Sequence, residues 1–161
     1  MGGALATVLA AESPGVSALV LISPYLAMPP ELRAVARLHR LVAVFAPVLA
    51  GRGAKSIRDP AEKARNLAYG QATPRLIAEL RRTVRRAWAA LPRVTVPTLY
   101  IQSHHDNRIA PAVADRAFAR LGGTEKRLEW IDDGTHIITV DFGRERVNAA
   151  VVGWLQYLLR P

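Results

Sequence analysis

Two short apolar runs constrain this chain more than any other feature. Val16-Ser-Ala-Leu-Val-Leu-Ile-Ser23 lies between Pro14-Gly15 and Pro24, and Thr98-Leu-Tyr-Ile-Gln-Ser103 lies between Pro97 and a polar cluster. Runs of this length and apolarity, bounded by turn residues, are expected of strands covered on both faces. A third candidate, Lys126–Ile131, alternates Leu128 and Trp130 with charged neighbours. Between and after these runs come helical patterns. Ala112–Leu121 stops at Gly122-Gly123, and Arg144–Leu159 carries Val147, Val151, Trp154, Leu155 and Leu158 at helical spacing. Strand, helix, strand and helix with such short joins imply parallel βαβ units, hence an α/β fold.

The stretch from about Tyr25 to Leu91 breaks that alternation. It offers no convincing strand and reads as three helices, roughly Glu31–Ala50, Ala61–Tyr69 and Pro74–Ala90. In the last, Leu76, Leu80, Val84, Ala87, Trp88 and Leu91 share one side of the helical wheel, and Arg81, Arg82, Arg85 and Arg86 share the other. The same stretch holds the charge. Of the net +9, residues 31–93 supply 14 Lys/Arg against 4 Asp/Glu, whereas the remainder has 8 against 9. A helical insertion with one apolar and one cationic side is expected.

Composition removes several classes. Half of the residues are hydrophobic and 22% are charged, too apolar for a mainly disordered chain. There is no cysteine, so disulfides and thiolate metal sites are ruled out, and a cytoplasmic setting is the expectation. Met1–Ala11 is apolar but lacks the basic start of a signal peptide. Leu41–Gly51 falls far short of the roughly 20 residues a spanning helix needs.

The residues with chemical meaning follow the second and third strands. Ser103-His-His-Asp-Asn-Arg-Ile-Ala-Pro111 places Asp106 just past a strand end, where an open parallel sheet gathers its functional groups. Read alone, Asp106 is equally a loop residue capping the helix that opens at Pro111. Asp132-Asp-Gly-Thr-His136 places His136 after the third strand. One helix and one strand separate the two, so a βαβ unit delivers both to the same sheet edge. Adjacent His104 and His105 point to opposite sides of extended chain, which argues against a metal site built on them with Asp106 and His136. His39 reads as a packed or partly exposed helix residue.

These segments resemble the acid and histidine loops of α/β-hydrolases, in the branch of carboxylesterases, monoacylglycerol lipases and S33 serine aminopeptidases that carry a helical cap. The proline-led strand before Asp106 and the Gly-x-His step at Gly134–His136 carry the likeness. The opening Met1-Gly2-Gly3 is similar to the end of the family's Gly-x-Ser-Met-Gly-Gly nucleophile elbow. The resemblance implies a partial α/β-hydrolase fold, with a parallel three-stranded sheet and flanking helices. Residues 1–24 and 92–161 would form the core, and residues 25–91 the inserted helical cap. It implies Asp106 and His136 as the acid and histidine of a serine-esterase triad, and Met1 as the residue whose backbone N–H completes the oxyanion hole in a longer chain. The nucleophilic serine would precede Met1, so that the chain is a truncated form, inactive alone. None of Ser13, Ser17, Ser23, Ser56 and Ser103 lies in a Gly-x-Ser-x-Gly setting. The first strand's outer edge would be unpaired, which invites association.

The implied activity is hydrolysis of a carboxylic ester, with a small-molecule ester or lipid substrate under the cap, and no metal or organic cofactor. Leu, Val, Phe45 and Trp88 of the cap are expected to line an apolar pocket. The arginines suit peripheral contact with an anionic membrane surface. No nucleic acid is expected, since no recognised nucleic-acid module or phosphate loop is present. Two readings stand beside this one: another activity on the same scaffold, such as thioesterase, peptidase or acyltransferase, and a non-catalytic basic binding module for anionic lipid or nucleic acid.

Overall fold

A computed structural model describes residues 1–50, 56–67 and 70–160. In chain order these form α1 (Gly2–Glu12), β1 (Leu19–Ile22), α2 (Pro30–Arg37), α3 (His39–Phe45), β2 (Leu49–Ala50), α4 (Pro60–Ala64), β3 (Gln71–Ala72), α5 (Pro74–Ala90), a 3-10 turn at Leu91–Arg93, β4 (Thr98–Ser103), α6 (Pro111–Ala119), β5 (Lys126–Ile131) and α7 (Arg144–Leu158). β1, β4 and β5 make a parallel sheet in the order β1-β4-β5, with Leu19 opposite Thr98 and Thr98 opposite Lys126. Every residue of the middle strand β4 is buried. That explains why its sequence carries no charge while the edge strand β5 alternates charged and apolar residues.

Successive β4 side chains enter different cores, as the two-residue strand period demands. Tyr100 joins Leu19 and Leu21 of β1, Ala4 and Val8 of α1, and Ala114 and Ala117 of α6. Leu99 and Ile101 join Ile131, Ile138, and Val147 and Trp154 of α7. At the end of α6, Lys126 Nζ donates to the carbonyls of Phe118 (3.1 Å) and Leu121 (2.8 Å), which supplies cation and donor to a helix C-terminus. The glycines that follow serve close approach: a Cβ on Gly122 would stand 2.1 Å from the Pro92 carbonyl oxygen, and one on Gly123 2.9 Å from that of Thr95.

Between β1 and β4 lies the helical layer. α5 starts as its sequence dictates: Thr73 Oγ1 accepts from Leu76 N (3.2 Å), and Pro74 occupies the first turn. Its buried stripe runs through Ile77, Ala78, Val84, Ala87 and Ala90, whereas Leu76 is 44% exposed. The far half of α5 joins the core beside α1. The near half packs with Met28 and Ala36 in a separate cluster. The buried face is therefore rotated from the one the wheel suggested, because two different surfaces are covered.

The expected single helix over 31–50 is broken at Leu38 (φ −101°, ψ 20°) into α2 and α3. There His39 Nδ1 donates to the Ala36 carbonyl (3.2 Å) and satisfies the end of α2. The expectation of no strand in this region also needs correction. β2 and β3 pair antiparallel, with Leu49 opposite Ala72 and Ala50 opposite Gln71. Two residues are too few to show a strand period. The helix expected over 61–69 is α4, capped by Asp59 and ended at Arg65; Ala68 and Tyr69 lie outside the described residues. No helix among the described residues is long and apolar enough to cross a membrane.

Candidate active site

The loop after β4 is wound by its own side chains. Asp106 N donates to the Ser103 carbonyl (3.3 Å), and His105 N donates to Ser103 Oγ (3.0 Å). Ser103 Oγ in turn donates to the Gly134 carbonyl (2.8 Å), which ties this loop to the one after β5. Both loops leave the carboxyl end of their strands, side by side, because β4 and β5 are parallel neighbours in register from Thr98↔Lys126 to Ser103↔Ile131.

Within that frame Asp106 and His136 meet. Asp106 Oδ2 accepts from His136 Nδ1 (2.8 Å) and Gln102 Nε2 (2.6 Å), while Oδ1 accepts from the backbone N–H of Arg108 (2.7 Å) and Ile109 (3.0 Å). The carboxylate is fully buried and the imidazole side chain is 21% exposed. Burial by itself raises the Asp106 carboxyl. The hydrogen bond and charge of His136, with the two backbone N–H groups, outweigh it and hold the group below its ordinary value. Asp106 does not cap α6; the N-cap there is Ala110, without a side-chain bond. With Nδ1 as the donor to Asp106, a neutral His136 keeps Nε2 as an acceptor.

The histidine loop depends on two glycines. Gly134 has φ +93°, and a Cβ there would stand 2.9 Å from Asp141 Cβ; a Cβ on Gly143 would stand 2.3 Å from the Asp133 carbonyl oxygen. Tyr25, just past β1, sets its ring edge-on to His136, with centroids 6.2 Å apart at 80°.

His136 opens onto a cavity of about 800 Å³ between the sheet's carboxyl edge and the helical layer. Leu32, Leu49, Ala72, Leu76, Ile77 and Leu80 give it an apolar wall, and Tyr25, Ser56, Asn107 and Arg108 stand with His136 on its polar side. Two residues expected in the pocket are elsewhere. Phe45 is 82% exposed on α3, and Trp88 packs on the core beside α1, its indole N–H donating to the Leu26 carbonyl.

The start of α1 belongs to the same edge. A Cβ on Gly3 would stand 2.8 Å from Cβ of Pro24, just past β1, so only glycine lets the helix begin there. The Met1 carbonyl accepts from Ala4 N (3.0 Å) and Leu5 N (3.2 Å), opening the helix. The N-termini of such helices present unpaired N–H groups and a positive dipole end.

His104 and His105 stay outside this arrangement. His104 stacks on Trp130 (4.3 Å, 7°) and bonds Asp132 (2.7 Å). Among the described residues no group of three or more His, Cys, Asp or Glu is placed to hold a metal ion. Sequence reasoning passed over Gln102, Tyr25 and Asp141, and weighed Ser56 only as a nucleophile. Asp141 is fully buried and accepts from Arg58 N, Asp59 N, Thr135 N and Phe142 N. Its one sequence signal is that it is the lone carboxylate between Gly134 and Gly143.

Known proteins share this fold. The sequence model described as serine aminopeptidase, S33, matches residues 1–142. A carboxylesterase of Bacillus subtilis (strain 168) is 29% identical over 83 residues, 52% of this chain and 31% of that protein. Among solved structures, one from the work on LipS and LipT, two metagenome-derived lipolytic enzymes, superposes with a TM-score of 0.84 at 29% identity, covering 98% of this chain and 62% of that one. The monoacylglycerol lipase of Paleococcus ferrophilus gives 0.78 at 22% identity, covering 96% and 65%. The chain thus has a partial α/β-hydrolase fold and spans about a third of the curated relative and under two thirds of these structures.

Proposed function

Because the chain belongs to the serine aminopeptidase S33 family of α/β-hydrolases, we propose that it is the acid-and-histidine part of a serine hydrolase that cleaves carboxylic esters. Asp106 orients His136 and stabilises its imidazolium form. His136 takes the proton of a serine nucleophile and returns it to the leaving alkoxide. The serine is contributed by sequence immediately before Met1, whose backbone N–H then serves the oxyanion. Residues 1–24 and 92–161 carry this machinery and residues 25–91 cover it. Without that serine, His136 has nothing to activate, so the 161 residues alone turn over no ester by this route.

The observation that carries the proposal is the 2.8 Å bond between His136 Nδ1 and a fully buried Asp106, beside a cavity with an apolar wall. Such a wall favours an ester with an apolar acyl chain over a charged peptide. A version of the protein carrying the upstream sequence should hydrolyse p-nitrophenyl esters, and His136→Ala should abolish this. Undiminished hydrolysis by His136→Ala would sink the reading.

Peripheral contact with an anionic membrane falls on α2–α3 and not on α5. No α3 residue is buried, Leu41, Val44 and Phe45 are exposed, and among the described residues Arg33, Arg37 and Arg40 enter no ion pair. On α5, Arg82 pairs with Glu79 and Arg86 with Glu12, and no exposed aromatic residue stands beside the arginines. Cosedimentation with phosphatidylglycerol vesicles, lost in Phe45→Asp and weak with phosphatidylcholine, is the expected result.

A further inference from the structure

Asp141 is fully buried, and among the described residues it pairs with no cation. Backbone N–H groups from two distant stretches meet its charge instead. Thr135 N (2.9 Å) and Phe142 N (3.1 Å) come from the histidine loop. Arg58 N (3.0 Å to each oxygen) and Asp59 N (2.9 Å) come from the segment that leads into α4. Burial raises the Asp141 carboxyl, but these four donors overcome it and hold the group below its ordinary value. A buried carboxylate satisfied this way is stable only while every donor is in place.

The same segment touches the site twice more. The Ser56 carbonyl accepts from Ile137 N (3.1 Å), and Ser56 Oγ accepts from Arg108 Nε (2.8 Å). His136 therefore sits between two residues, Thr135 and Ile137, that are both held by the strap Ser56–Asp59, directly or through Asp141. The Asp106 loop is held by the strap through Arg108. Arg144 Nη1 closes the bracket on Asp59 Oδ2 (3.2 Å).

We infer that Asp141 is a positioning residue: its carboxylate clips the strap Ser56–Asp59 to the histidine loop, so that His136 aligns on Asp106 only while the strap is seated. Seating of the helical layer and alignment of the pair become one event. The inference rests on the catalytic reading of Asp106 and His136.

The test needs no turnover and uses the whole chain, labelled with ¹⁵N at histidine for the ring signals and uniformly with ¹⁵N for amide exchange. The native protein should show a downfield, protected Nδ1 proton for His136 and a single ring tautomer. Asp141→Asn keeps the shape but sets an amide NH2 against the backbone donors. It should erase that resonance and mix the tautomers. Amide exchange at Arg58, Asp59, Thr135 and Ile137 should rise together by about tenfold or more, while Tyr100 and Leu128 in the sheet stay protected. Retention of the native His136 resonance with fast exchange in the strap would overturn the inference alone. Absence of the resonance in the native chain would instead overturn the pairing and the inference with it. Where sheet protection is also lost, Arg58→Pro decides: it removes one donor at an exposed position, and an unchanged His136 resonance there would overturn the inference.

Discussion

The central strand and the helix α3 have similar lengths and α3 is the more apolar, yet every residue of β4 is buried and none of α3 is. β4 is pinned by ladders on both sides, and its register fixes where the loops after β4 and β5 emerge. α3 packs against α5 and α2 and leaves most of its surface outward. The sheet therefore fixes where the loops of the candidate site emerge, and the layer above it supplies the cavity's apolar wall. Chemistry belongs on the first and selectivity on the second.

Substitutions at the sheet edge and in the overlying layer should separate these roles. The largest effect is expected at the edge. In the protein extended upstream, Asp106→Asn should lower kcat about 10⁴-fold through loss of the correct tautomer, with KM little changed. Leu80→Trp, which fills the cavity, should leave short esters nearly untouched and cut activity on long acyl chains about 10-fold to 100-fold, read from a chain-length series. Equal loss on all chains would collapse the distinction. For stability, Ile101→Ala should cost about 2 to 5 kcal/mol by urea titration, against less than about 0.5 kcal/mol for Phe45→Ala. Thr73→Ala, which removes the N-cap of α5, should cost about 1 kcal/mol.

Acid should attack both regions through the same kind of group. Asp106 and Asp141 have folded-state values held below the ordinary 3.8. Each therefore contributes stability that is fully present above that value and is lost as pH falls through the folded one. Urea midpoints should be flat above about pH 5 and drop steeply below about pH 4, and Asp141→Asn should flatten the drop. A steep loss between about pH 6 and 7 would point to a group other than these carboxylates.

Local sequence carried the parts of the fold that local forces decide. β4 and β5 were legible from proline and glycine boundaries and from periodicity. α5 was legible from Thr73-Pro74 and its apolar stripe. Asp106 and His136 were legible because each follows a strand in a βαβ unit, which fixes their common edge before any contact is known. The break at Leu38 was not, since it rests on a side chain satisfying a helix end. The pairing of Leu49 with Ala72 and the clip from Asp141 to Arg58 join residues far apart in the chain. No window of sequence contains both ends. The pocket was half legible: its apolar character was clear, but Phe45 and Trp88 were assigned to it on hydrophobicity alone, and Phe45 faces outward while Trp88 packs on the core beside α1.

Gly122 and Gly123 bring the main chain after α6 against the main chain at Pro92 and Thr95, where α5 returns to the sheet. Gly122 N also donates to the Leu91 carbonyl and Gly123 N to that of Val94. Any methyl group at this seam would pry apart two backbones that have no flexible side chain to yield. Two adjacent positions at this seam thus admit no side chain unless the main chain itself moves.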